Sequence, residues 1–411
     1  MKAIIAGGGI GGLTTALMLA ARGIACSVHE QAPRFRELGV GITLMPNAVR
    51  ELAGLGLLPA LQAAGVPSAH LYYKTRRGQT VWDEPRGLAA GNDVPQIFVH
   101  RGHLLGLLAE VAQARLPVGS IRLGQRLTSL RQTETGVDAH LALADGSEPV
   151  ETADLLIGAD GICSPTRAAL HPDEGPPRWS GLTMWRGAAD WPEFLGGASL
   201  LILGGVEAKL VIYPIGPGTA PGRRLTNWVV IVRAAPDGSP APARADWARE
   251  GDPADLAPHL PLFHCDEVDV KGLVAVSGTI WEYAMFDRDP VAFWSRGRVT
   301  LLGDAAHPMY PMGANGATQA ILDARVLADA LTATSDIPAA LAAYEAQRLP
   351  GTTAIVHANR TGGPEAVIDA VERLAPDGFA DVDAVLSRAD RQAIMQAYAQ
   401  KAGMPPIKGA R

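Results

Sequence analysis

A glycine cluster and two widely separated carboxylates carry the clearest chemical signal in this chain of 411 residues. "GGGIGG", Gly7 to Gly12, fits G-x-G-x-x-G through Gly7, Gly9 and Gly12. The first glycine permits a tight turn, the second lets backbone approach a pyrophosphate, and the third lets a helix pack on the sheet. The helix that opens there, with Ile10 and Gly11 in its first turn, aims its free N–H groups at phosphate charge. Glu30 ends the following strand, eighteen residues after Gly12, with Gln31 next to it. An acid at that place binds ribose hydroxyls. The alternative is a glycine-rich turn with a surface glutamate, and it leaves the register of strand, helix, strand and acid unexplained. The motif alone admits either NAD or FAD.

The second carboxylate is Asp304, in "VTLLGDAAHPMYPMGANGATQAILDA", residues 299–324. It follows a buried apolar run, Val299 to Leu302, at the tip of a strand. A second acid at the same sheet edge suits a ligand with further hydroxyls: the ribityl chain of FAD, or the second ribose of NAD. The turn from Pro311 to Gly316, with Ala317 just beyond it, directs N–H groups and a helix dipole at whatever lies past that chain. For a flavin this is the N1–C2=O edge, which becomes anionic on reduction. A third acid, Asp160 in "LIGADGICSPTR" (156–167), precedes a helix capped by Ser164 with Pro165 at its first position. It serves either a ligand at the strand's C-terminal edge or only the Asp160-Gly161 turn.

These residues need a βαβ frame. Residues 2–6 read as a buried parallel strand, Gly11 to Arg22 as a helix stopped by Gly23, and Ala25 to Glu30 as the second strand. Residues 33–45 read as a loop before a helix that opens at Pro46. Gln96 to Val99 runs into a helix from Gly102. Val137 to Ala144 alternates polar and apolar residues before Asp145-Gly146, a hairpin turn signal. Leu155 to Gly158 is a buried strand again. Between about 180 and 235 the strands Leu182–Arg186, Ser199–Leu203, Lys209–Ile215 and Asn227–Val232 recur without a helical pattern, as an antiparallel sheet does. The expected architecture is α/β, with a Rossmann-like cofactor lobe in three segments (1–71, 96–175 and 275–345). A sheet lobe is inserted between them (72–95 and 176–274), and a helical region follows (346–411).

Composition limits the partners. The formal net charge of −6 lacks the basic footprint of a nucleic-acid or anionic-membrane binder. Cys26, Cys163 and Cys265 form neither a zinc spacing nor a disulfide framework, which suits a reducing cytoplasm. Ala3 to Ala21 carries no charge and mimics a signal peptide or a membrane span, but its five glycines and the strand after it favour strand, turn and helix.

The trio "GGGIGG…E", "GADG…S..R" and "GDAAHPMYP..ANGA", in this order, resembles the group A flavoprotein aromatic hydroxylases, the p-hydroxybenzoate and salicylate hydroxylase family. The elements "EPRG…AGN", "TMWRG" and "YPMGANGATQAILD" are most similar to its 5-methylphenazine-1-carboxylate monooxygenase branch. The resemblance implies FAD as cofactor, NADH or NADPH as co-substrate, and O2 activation through a flavin C4a-hydroperoxide. It implies a small aromatic or heteroaromatic acid as substrate and a monomer or homodimer. It places Asp304 on the ribityl chain, Asp160-Gly161 beside both FAD and nicotinamide, and Arg101 at the FAD phosphates. It puts Arg36 and the segment Gly39 to Ile42, including Gly41, beside the flavin, with Leu127 as a further cofactor contact. This chain departs from the pattern at Ala314 and Asn315, where many relatives have glycine and glutamine. It also departs at Ile212, where phenol hydroxylases often place a histidine. An already activated, electron-rich heterocycle needs no base there. Trp185, Tyr213 and Trp228 on the inserted strands read first as core and second as pocket lining, with Pro311 a further pocket candidate. Arg186 reads first as half of an internal salt bridge and second as a partner for a substrate carboxylate. A flavin oxidoreductase without oxygen insertion and a non-catalytic dinucleotide-fold protein are the alternatives. A halogenase lacks support because W-x-W-x-I-P is missing.

Overall fold

The computed structural model describes residues 1–35, 40–240, 242 and 249–402. The first lobe is organised by a six-stranded sheet whose order is 295–296, 299–301, 155–158, 2–6, 25–30 and 121–123. The strands pair in parallel except at the hairpin Ser295–Arg296. Register explains why motifs so distant in sequence meet. Ala6 pairs with Gly158, Gly158 with Leu301, and Ala6 with His29. The glycine turn, Asp160 and Asp304 therefore leave one edge of the sheet together, the ligand edge of an open α/β fold. Helix α1 (Ile10–Ala20) and helix α2 (Gly316–Ala333) bury apolar faces against this sheet.

Two glycines are required by close approach. A Cβ on Gly7, which has φ of +102°, would stand 2.2 Å from the Ala159 carbonyl oxygen. One on Gly12 would stand 2.0 Å from the Gly7 carbonyl oxygen.

The inserted lobe is a seven-stranded sheet whose order is 281–287, 178–192, 223–233, 208–217, 199–203, 70–74 and 80–85. Two boundaries differ from the sequence reading. Trp281–Asp287, placed with the cofactor lobe, is the edge strand of this sheet because it pairs antiparallel with 178–192. Residues 41–44, read as loop, form a strand against His100 to Ile97. One face of the inserted sheet packs on helices of residues 253–275, and the other turns toward the cofactor lobe. Helix α3 (Arg388–Lys401) closes the far side. Among the described residues no helix is long and apolar enough to cross a membrane.

Candidate active site

A cavity of about 580 Å³ lies between the lobes and reaches from the glycine turn to α3. Gly9, Ile10 and Gly11 line its cofactor end, with Arg101, Gly161, Asp304 and the turn Pro311 to Ala317. The N–H groups of Ile10, Gly11 and Gly12 have no helical acceptor, because Leu13 makes the first intrahelical bond, to Gly9. A Cβ on Gly9 would meet no protein atom within 4 Å, so backbone there faces open space. Glu30 stands behind the turn and braces it, accepting from the Gly8 N–H (2.7 Å) and the Ala32 N–H (2.8 Å). Gln31 is exposed beside it. Arg36 and Gly39 lie outside the described residues.

Asp304 opens onto the cavity and, among the described residues, accepts no hydrogen bond. Enclosure of the cavity by protein raises its pKa, against the pull of His307 and Arg101. Its turn is fixed from behind. Asp323 on α2 accepts from the Gly303 N–H (3.1 Å), His307 Nε2 (2.6 Å) and Arg348 Nε (2.7 Å). Burial alone would raise the Asp323 pKa, but the charges of His307 and Arg348 prevail and hold it at about 2. Arg167, almost wholly buried, donates through Nη1 to the carbonyls of Ala305 (3.0 Å) and Ala306 (2.8 Å). It thereby joins the Asp160 element to the Asp304 element. Asp160 itself is committed locally. Its carboxylate accepts from the hydroxyl of Ser164, from Thr166 Oγ1 (2.7 Å) and from the Thr166 N–H (3.1 Å), while burial raises its pKa. Of the pair, Gly161 rather than Asp160 faces the cavity. The donor set fits FAD: free backbone N–H groups and Arg101 for phosphates, an open carboxylate for hydroxyls, and a helix N-terminus past Pro311.

Strand alternation decides which inserted residues reach the other half. Met184 and Arg186, Val211 and Tyr213, and Val229 and Ile231 point into the cavity. Trp185 and Trp228 therefore point the other way, into the core under residues 253–275, where Trp228 donates Nε1 to Ser277 Oγ (2.7 Å). The pocket role offered for both tryptophans is corrected on this ground. Ile212 shares their face, so its position cannot present a base to the cavity. Leu127 is likewise corrected: it is buried in the cofactor-lobe core and does not line the cavity. Tyr213 and Pro311 do line it.

Among the described residues, four cations line the cavity: Arg86, Arg101, Arg186 and Lys209. Arg86 pairs with Glu84, and Lys209 pairs with Glu365 at 3.4 Å. Arg101 lies near enough for its charge to act on both Asp304 and Arg186. Arg186 has no acid partner among the described residues, which corrects the salt-bridge reading. Its Nη2 donates to the Gly41 carbonyl (2.8 Å), and its Nε is buried without an acceptor. Burial lowers its pKa. Beside it, burial pushes the Tyr213 hydroxyl up to about 12 despite the Arg186 charge. Lys209, Glu365 and Tyr398 were not singled out from sequence, because nothing local marks them.

The FAD binding domain family model matches residues 1–359. The chain belongs to this family. Phenazine 1,6-dicarboxylic acid hydroxylase from Lysobacter antibioticus is 45% identical over 359 residues, covering 86% of this chain and 88% of the relative. Salicylate hydroxylase from Pseudomonas putida is 32% identical, covering 85% and 82%. The crystal structure of Klebsiella pneumoniae HpxO with FAD and uric acid superposes with a TM-score of 0.76 at 26% identity, over 99% of this chain and 97% of that one. The chain is thus an FAD-dependent enzyme of the aromatic hydroxylase family, with a reduced nicotinamide as co-substrate.

Proposed function

We propose that this hydroxylase acts on a fused heteroaromatic carboxylic acid and anchors the carboxylate on Arg186. The observation that carries the reading is a half-buried guanidinium whose Nε is enclosed without an acceptor and which has no acid partner among the described residues, beside the apolar side chains of Met184, Val211, Val229 and Ile231. An uncompensated buried cation is unfavourable until an anion arrives. Planar guanidinium donors match a carboxylate in bidentate geometry. The name of the Lysobacter relative, at 45% identity, supports the fused-ring acid.

The glycine turn, Arg101, Asp304 and the Pro311–Ala317 turn would hold FAD, which would supply hydride acceptance from the nicotinamide and activation of O2. The protein's own residues bind, orient and keep the site dry. Arg186 touches the Gly41 carbonyl, in the segment expected beside the flavin, so a bound carboxylate lies near that segment. This favours oxygen delivery at or next to the carbon bearing it. Among the described residues no histidine lines the cavity. Tyr213, its hydroxyl pushed up to about 12, keeps its proton at neutral pH and is suited to donating a hydrogen bond to substrate, not to abstracting a proton. The substrate ring must therefore bring its own activation, through an amino, hydroxy or ring-nitrogen substituent. The apolar walls exclude water from the reacting centre.

The test is NADH and NADPH consumption by the holoenzyme across one-ring and fused-ring acids, with products identified by mass. A fused-ring acid that stimulates consumption and gains one oxygen, with or without its carboxylate, supports the reading. Stimulation by none of them rejects it.

A further inference from the structure

The family model ends at residue 359, but the cavity wall does not. Pro364, Glu365, Met395, Tyr398 and Ala399 complete its far side. Helix α3 buries Arg391, Met395, Tyr398 and Ala399, a spacing of four, three and one that puts a single face inward. Two anchors fix where that face lies. Arg391 donates through Nη1 to the Val81 carbonyl, tying α3 to the inserted sheet. The Tyr398 hydroxyl ties it to the flavin-side turn. It accepts from Asn315 Nδ2 (2.8 Å), and its proton serves Asn359 Oδ1 (2.9 Å) or the Met312 carbonyl (3.2 Å). The turn is shaped around this oxygen: a Cβ on Gly313 would stand 2.4 Å from it.

The opposing wall is the inserted sheet. Arg186 stands on strand 178–192, and Leu71 and Tyr73 on strand 70–74, four strand positions away. At about 4.8 Å per strand this is roughly 19 Å. Between them runs an apolar row, Val229, Val211 and Ile202, flanked on strand 208–217 by Lys209, whose charge is met by Glu365. Met395 packs with Leu71, Tyr73 and Ile202 and so closes the slot at the end away from Arg186. An acid held by its carboxylate on Arg186 points its rings along the slot toward α3. A one-ring acid fills only the near part, whereas fused rings extend toward the helix.

We propose that α3 is the specificity wall of this hydroxylase, with Met395 and Ala399 setting how many fused rings a substrate can carry. The inference rests on the reading that Arg186 anchors the carboxylate.

The test measures dissociation constants of phenazine-1-carboxylate and benzoate for the FAD-loaded enzyme, from the change in flavin absorbance. Ala399→Leu pushes a branched side chain into the slot. It is expected to weaken phenazine-1-carboxylate at least tenfold and to leave benzoate within twofold, with flavin content and melting temperature as in the parent. Met395→Phe, a milder volume change, is expected to discriminate in the same direction and serves if Ala399→Leu does not fold. Equal weakening of both acids, or of neither, overturns the assignment of α3 while leaving the Arg186 reading in place. A parent enzyme that binds neither acid overturns the Arg186 reading and this inference with it.

Discussion

Replacing Arg186 by methionine separates charge recognition from packing. Among the described residues the free protein's guanidinium donates one hydrogen bond, to the Gly41 carbonyl, and has no acid partner. Methionine keeps most of the volume and removes a buried charge, so the folded state should lose little. Loss of the bond to Gly41 is offset by relief of desolvation. Substrate binding is another matter. A hydrogen bond to a charged group contributes about 1.5–3 kcal/mol, which corresponds to roughly 10- to 150-fold in a dissociation constant. The assay compares an aromatic acid with its carboxamide, by flavin absorbance on the holoenzyme. Arg186→Met should weaken the acid by that factor and the amide by less than about threefold, because a neutral amide never compensated the charge. Arg186→Lys should recover only part of the loss, since an ammonium cannot reproduce the fork. Equal losses for acid and amide would mean that Arg186 shapes the pocket rather than reads the carboxylate.

Further outcomes follow from the same geometry. Asp304→Ala should raise the FAD dissociation constant by about 10- to 150-fold, read by flavin fluorescence on reconstitution, because it deletes an open acceptor for the cofactor's hydroxyls. Full flavin occupancy in that variant would contradict its role. Tyr213→Phe should leave the pH dependence of substrate affinity unchanged from about pH 6 to about pH 9, since a hydroxyl raised to about 12 stays protonated throughout. Asp323→Asn should lower unfolding stability by about 3–5 kcal/mol by stranding buried His307 and Arg348. Because the Asp323 carboxyl is held near 2 rather than 3.8, its stabilisation is complete above pH 3.8 and disappears as pH falls through about 2. The variant should lose that part of the acid transition in thermal melts. Ala314 holds φ of +54°, at a cost of about 1–2 kcal/mol for a residue with a Cβ. Tyr398→Phe should therefore weaken FAD binding more in the parent than in the Ala314→Gly background, a difference that a double-mutant cycle measures directly.

The frame of the cofactor lobe was legible because its signals are local. Gly7 to Gly12 and Glu30 sit within one βαβ unit, and Asp304 stands at the tip of an apolar run. Orientation on the inserted sheet was not. Strand 208–217 reads "AKLVIYPIGP", apolar on both faces because both are covered, so no alternation in the sequence marks which residues meet the cavity. Trp185 and Trp228 could have pointed either way until register and packing were known. Arg186 posed the opposite difficulty, since a missing partner is a property of the whole fold. Asp323 left a usable trace as an acid on the inward stripe of α2, beside Gln319, Ala320 and Leu327. Tyr398 left none: its partners Met312, Asn315 and Asn359 are 86, 83 and 39 residues away.

Incubation of the holoenzyme with a fused-ring acid and NADH or NADPH under ¹⁸O2 is the most direct trial of the whole account. One labelled oxygen should enter the ring of the product, in proportion to the nicotinamide oxidised. Oxidation of the nicotinamide that yields hydrogen peroxide and an unlabelled, unchanged acid would contradict it.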